Sequence, residues 1–123
     1  AGVGMVAVDN EGGVNLCHRF TGSDQPLMGH VERGIDIGAL NIFLNQRQNH
    51  LAAQCATCRV RNLCAGGCYH ESYTRIGDAS EPTSHHCDLM RNWIDFGIEV
   101  YTEIIQSNPD YYTNFIEPRS CRR

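Results

Sequence analysis

Lysine does not occur in this sequence: all ten basic residues are arginine, set against fourteen aspartates and glutamates for a net charge of −4. A protein that grips nucleic acid neutralises phosphates with clustered cations. Here only Arg119, Arg122 and Arg123 cluster, so no nucleic-acid partner is expected. Long apolar runs are missing as well. None approaches the ~18 residues needed to cross a bilayer, which excludes a membrane-spanning helix, and no membrane partner is expected. The opening AGVGMVAVDNEGG has neither the basic start nor the apolar stretch of a secretory signal. Internal repeats and low-complexity segments are absent, and the length suits one globular domain.

Cysteine, by contrast, is plentiful. There are seven, an odd number, and five of them lie between Cys55 and Cys87. That crowding suits metal better than a symmetric disulfide framework. Together with the missing secretory signal it leads us to expect a reducing compartment, the cytoplasm.

The patterning predicts an α+β fold. Met5–Val8 and Val14–Cys17 are β-capable runs around the Gly-rich turn Asp9–Gly13, an N-terminal hairpin with Cys17 ending its second strand. A strand starting at residue 3 with no lead-in leads to the expectation that the chain is cut from something longer. Residues 20–34, with Gly22, Pro26, Gly29 and Gly34, read as loop. Asp36 caps a helix over 36–53 whose apolar face is Leu40, Phe43, Leu44 and Leu51. Residues 54–87 show neither helical nor strand period and read as an irregular cysteine-rich loop.

A stripe of Leu89, Trp93, Phe96, Val100 and Ile104 then predicts a helix over 88–106. So wide an apolar face leads us to expect Trp93 and Phe96 buried against the hairpin and the cysteine loop. Asn108-Pro109 opens a last helix over 109–116, with proline in its first turn. The single domain thus parses into hairpin and first half-site (1–34), cysteine loop (54–87) and C-terminal helices (88–116).

Cys55-x2-Cys58-x5-Cys64-x3-Cys68 places four thiols in fourteen residues, and Cys87 follows after eighteen more. Disulfides between cysteines this close would close tiny, strained loops. Zinc takes four thiolates, or three and an imidazole. Two zinc sites would use Cys55, Cys58, Cys64 and Cys87, and Cys17, Cys68 and His18 or His86. Iron–sulfur clusters take thiolates throughout, and the x5 and x3 spacings are unlike paired zinc knuckles. Spacing alone leaves zinc and iron open.

The Cys55-x2-Cys58-x5-Cys64-Ala65-Gly66-Gly67-Cys68 run followed by Cys87 resembles the signature of the SPASM domain. Such domains form the C-terminal part of radical SAM enzymes that modify peptides, and they carry two auxiliary [4Fe-4S] clusters. The hairpin with Glu11-Gly12 at its turn, the Cys17-His18-Arg19-Phe20 run and the Met28-Gly29-His30-Val31 stretch are also similar. The resemblance spans residues 1 to about 90. It implies that Cys55, Cys58, Cys64 and Cys87 bind the second auxiliary cluster, and that Cys17 and Cys68 bind the first. Many relatives place another ligand five positions past the loop glycine; here Gly29 is that glycine, and Gly34 stands in the ligand's place. Thioether-forming relatives also have a ligand cysteine just before the Ala-Gly that opens this chain. The first cluster would then have three thiolates and one open iron in the full enzyme, but only two thiolates here.

The same resemblance suggests roles around the ligands. Gly66 and Gly67 would let backbone N–H groups approach cluster sulfides, and Arg59 and Arg61 would supply positive charge nearby. Cys121 reads as a surface thiol. A Cys-x3-Cys-x2-Cys triplet, which radical SAM chemistry requires, is absent from the chain. S-adenosylmethionine and a further [4Fe-4S] cluster would belong to a missing N-terminal part, and this fragment alone would be inactive.

Cys-Asp-Leu-Met-Arg-Asn-Trp at the start of the long helix, Cys-His-Arg-Phe-Thr-Gly and Cys-Tyr-His-Glu-Ser most resemble the group of maturases acting on quinohemoprotein amine dehydrogenases. That group joins cysteine sulfur to a methylene carbon of Asp or Glu in a small protein subunit. The resemblance implies a cysteine-containing peptide or small protein as substrate, whose methylene loses a hydrogen atom to a deoxyadenosyl radical. Its thiolate then couples to the carbon, and an auxiliary cluster takes up the leftover electron for an electron donor/acceptor protein. Other members, such as sulfatase-type maturases, and a zinc-stabilised binding module with no redox role are the alternatives.

Overall fold

A carboxylate organises the first turn. In the computed structural model, which describes residues 4–117, Asp9 Oδ1 accepts from the Gly13 N–H at 2.7 Å and the Glu11 N–H at 3.0 Å. Gly12 takes φ +87°, a conformation glycine adopts without penalty. This turn closes the expected hairpin, in which β1 (Ala7–Val8) pairs antiparallel with β2 (Val14–Asn15). The strands are shorter than the apolar runs suggest. Cys17 lies beyond β2, at the entrance to a single 3-10 turn over His18–Phe20.

Residues 20–34 are not all loop. β3 (Gly29–His30) and β4 (Gly34–Ile35) form a second antiparallel hairpin. It joins the first through a bridge between Gly13 and His30 and through the Met28 N–H to Val14 carbonyl bond at 2.6 Å. Two-residue strands rich in glycine carry no hydrophobic period, which is why the sequence reads as a loop. Asp36 then caps α1 (Ile37–Gln54), its side chain accepting from the Ala39 N–H at 2.9 Å.

The stretch 54–87 is also not wholly irregular. It contains α2 (Tyr69–Ile76), which begins at Cys68 and ends at Gly77 in the left-handed conformation. Glu71 in its first turn and Arg75 in its last complement the helix dipole. Val14, Leu16, Phe20 and Met28 from the hairpins pack with Leu40 and Phe43 of α1 and with Ala79 into one core, against which Tyr69 and Tyr73 of α2 lie. Phe20 and Leu16 are wholly buried, and the Phe20 ring meets Tyr73 edge-on at 5.7 Å.

The chain divides into two units, one ending at Ser84 and the other starting at His85. The division falls inside the stretch read as one cysteine loop. The second unit holds α3 (Cys87–Ser107), close to the predicted span. Its apolar stripe is present, with the Trp93 and Phe96 rings 6.1 Å apart. No described residue within the second unit covers these two: Trp93 is 65% and Phe96 56% exposed. Periodicity identifies an apolar face; it does not establish what covers it.

The last helix also differs. Asn108 ends α3, and after a turn the chain winds with π-type bonding over Tyr112–Ile116. None of the described helices is long and apolar enough to cross a membrane. The fold is α+β, as expected.

Candidate metal centre

The cysteine loop starts where α1 stops. Cys55 is the C-cap of α1, its N–H bonded to the Leu51 carbonyl at 2.9 Å. A relay of turns follows: the Cys58 N–H reaches the Cys55 carbonyl at 3.0 Å, and the Cys64 N–H reaches Val60 at 2.8 Å. Val60, 4% exposed, anchors the loop. Cys55 and Cys64 line one open cleft of about 330 Å³ together with Leu51, Ala52, Arg61 and Ala65. Cys55, Cys58 and Cys64 are each partly buried reduced thiols.

The Ala65-Gly66-Gly67 turn closes one side of this loop. Gly66 and Gly67 take φ +78° and +83°. A Cβ on Gly66 would meet Arg47 Nη2 and Leu51 Cδ2, both at 2.5 Å, and one on Gly67 would meet Thr83 Cβ at 2.7 Å. The Thr83 N–H bonds the Gly66 carbonyl at 2.8 Å, and the Thr83 hydroxyl donates to the Cys68 carbonyl at 2.9 Å. The turn is thereby tied to the segment after α2. Glycine at both places follows from backbone conformation and close approach together.

The residue that holds this turn was not singled out from the sequence. Arg47 lies on the buried face of α1 beside Leu40 and Phe43, and is only 2% exposed. Its guanidinium donates to the carbonyls of Ala65 at 2.9 Å, Gly67 at 3.4 Å and Ser80 at 3.3 Å, and also to that of Glu81. It stacks over the Tyr69 ring at 4.9 Å. Burial pushes its pKa below the ordinary arginine range, opposed by Tyr69, Cys55, Cys64 and Glu81. Its Nε–H is buried without an acceptor. The available signal was its position seven residues after Leu40 on an otherwise apolar stripe.

A second arginine reaches Cys68 of the other pair of cysteines. Cys17 is buried and Cys68 exposed. Arg19, two residues after Cys17, donates to Cys68 Sγ at 3.7 Å and pairs with Glu71 at 2.9 Å. The Glu71 bond raises the Arg19 pKa, with Cys68 adding to it, and Arg19 holds the Glu71 carboxyl below its ordinary range. Phe20 packs edge-on against His70 at 5.2 Å. The turn after Cys17 is thus seated on the first turn of α2, which opens with Cys68.

The remaining candidates separate. Arg61 lines the Cys55–Cys64 cleft and donates to the Ala56 carbonyl at 2.9 Å. Arg59 and His18 are exposed. Gly34 takes φ +79° with open space around it, so a cysteine ligand there would sit in a strained backbone. In the second unit, Cys87 is the first residue of α3, and the His85 and His86 ring centroids lie 3.8 Å apart with the planes tilted by 53°. Cys121 and the arginines near it lie outside the described residues.

In the first unit, one ligand atom each from His50, Asp78 and Glu81 lie within 4.8 Å of one another. Ser80 knits them, bonding Asp78 at 2.7 Å and His50 Nδ1 at 3.3 Å.

An iron–sulfur group can be tested against these residues. The donor set is thiol, Cys55 and Cys64 line one cleft, and a buried cation with an unpaired N–H holds the turn that follows Cys64. An anionic, thiolate-ligated group fits all three features. Comparisons with protein families, with characterised proteins and with solved structures found no match to this chain.

Proposed function

We propose that this chain is the auxiliary-cluster domain of a radical SAM peptide maturase, holding two [4Fe-4S] clusters through its cysteines. The observation that carries the reading is the cleft lined by Cys55 and Cys64, flanked by a glycine turn and by a buried arginine with an unsatisfied N–H. An anionic thiolate-bound cluster would add negative charge beside that buried cation. Cys55, Cys58 and Cys64 hold the second cluster, and Cys87 is the thiolate that the resemblance adds to them. Cys17 and Cys68 hold the first. Reduced thiols as ligands imply a cytoplasmic protein.

The chemistry such clusters supply when bound is one-electron transfer and, at an open iron, Lewis acidity toward a thiolate. The chain's own residues shape the sites. Arg47 and Thr83 fix the glycine turn, and Arg19 places its N–H at Cys68 Sγ. The reaction served is thioether formation between a cysteine sulfur and an Asp or Glu methylene carbon in a peptide or small protein.

Reconstitution with iron and sulfide in the absence of oxygen tests the reading. A Cys55→Ala, Cys58→Ala double variant loses about half of the iron and sulfide, and a Cys17→Ala, Cys68→Ala variant loses the rest. Stoichiometric zinc with only trace iron supports a colourless zinc-stabilised binding module instead.

A further inference from the structure

We propose that Arg47 is the positioning cation of the second cluster site: it sets the Ala65-Gly66-Gly67 turn before loading and supplies the positive charge that the loaded site needs. The proposal rests on the reading that Cys55, Cys58 and Cys64 hold an iron–sulfur cluster.

The argument starts from cost. A guanidinium on the core face of a helix loses its hydration, and burial of a charge is tolerated when it is paired and hydrogen-bonded. Arg47 is 2% exposed, and its side-chain acceptors are backbone carbonyls, which are neutral. The anionic or ionisable side chains acting on it are Tyr69, Cys55, Cys64 and Glu81. Glu81 is engaged with Gln54 and His50, and Tyr69 presents its ring face. Glu81 supplies one carboxylate, and the cysteines add negative charge that is firmly fixed once they ligate a metal.

Geometry points the same way. Two of the carbonyls that Arg47 binds, Ala65 and Gly67, lie between Cys64 and Cys68, and the other two, Ser80 and Glu81, lie in the segment that Thr83 ties to Gly66. One planar fork thus clamps two chain segments across α1, a task for which lysine's single ammonium is poorly shaped. The Nε–H is left without an acceptor. A cation beside an anionic cluster stabilises its reduced, more negative state, and so raises its potential.

The test uses the whole chain as wild type, Arg47→Met and Arg47→Lys, before and after anaerobic reconstitution. Before loading, the Thr83 amide, which bonds Gly66, is followed by hydrogen exchange; we expect it to exchange at least tenfold faster in both variants. After loading, Arg47→Met should lose the second cluster or hold it at a more negative potential. Arg47→Lys, which keeps the charge, should stay nearer the wild-type potential. A loaded Arg47→Met with wild-type potential overturns the charge role, and unchanged Thr83 exchange overturns the positioning role. If Arg47→Met does not fold, Arg47→Gln is compared with Arg47→Lys by the same potential. Failure of the wild type to take up iron contradicts the cluster reading and the charge role together, while Thr83 exchange still decides the positioning role.

Discussion

Gly66→Ala isolates the physics of the glycine turn. An alanine at φ +78° is forced into the left-handed region, which costs about 1–2 kcal/mol. Its Cβ would also meet Arg47 Nη2 and Leu51 Cδ2 at 2.5 Å. Both belong to α1, and Arg47 is held by four carbonyls, so neither can simply swing away. Overpacking of this kind adds about 1–3 kcal/mol, for a total of about 2–5 kcal/mol. The control is Gly22→Ala, which has the same φ of +78° but nothing within 4 Å of the new methyl; it should cost only about 1–2 kcal/mol. Urea unfolding followed by far-UV circular dichroism on the cluster-free chain gives both numbers. The difference between the variants measures the contact with Arg47. Equal losses at the two glycines would refute the claim that Arg47 and Leu51 press on this turn.

Other residues give further tests. Phe20→Ala, at a wholly buried ring in contact with His70 and Tyr73, should cost about 3–5 kcal/mol in the same unfolding assay. Asp9 is held below its ordinary carboxylate value of 3.8 by the Gly13 N–H first and by Asn15. Because the folded pKa is the lower one, its stabilisation is complete above 3.8 and is lost as the pH falls through the folded value. Asp9→Asn should therefore be less stable than wild type at neutral pH, with the gap closing in strong acid, as read by urea midpoints across the range.

How much of this was legible depended on signal length. Asp36 and the Leu40–Phe43 spacing announced α1, and the stripe from Leu89 to Ile104 announced α3, because each repeats over several turns. β3 and β4 did not announce themselves: at two residues each, their pairing rests on backbone bonds and on Gly29 and Gly34, not on side-chain pattern. α2 went unseen because its eight residues, framed by Cys68 and Gly77, are mostly polar.

At the site, cysteine spacing proposes the ligands, since ligation chemistry is written in residue type. The arginines were harder to read. Arg61 lines the Cys55–Cys64 cleft, as its place after Cys58 suggests, but Arg47 holds the Ala65 and Gly67 carbonyls and Arg19 reaches Cys68 from elsewhere in the chain. Folding brings them there, and a linear motif does not record it. The stripe carrying Trp93 and Phe96 likewise fixes a face but not its cover.

The central claim is that these cysteines hold iron–sulfur clusters. Elemental analysis of the chain purified and reconstituted without oxygen, for iron, acid-labile sulfide and zinc together, addresses it most directly. Two [4Fe-4S] clusters predict iron and sulfide in equal amounts, at about eight of each per chain, in a brown protein. Stoichiometric zinc in a colourless protein, with iron and sulfide at trace levels, would contradict it.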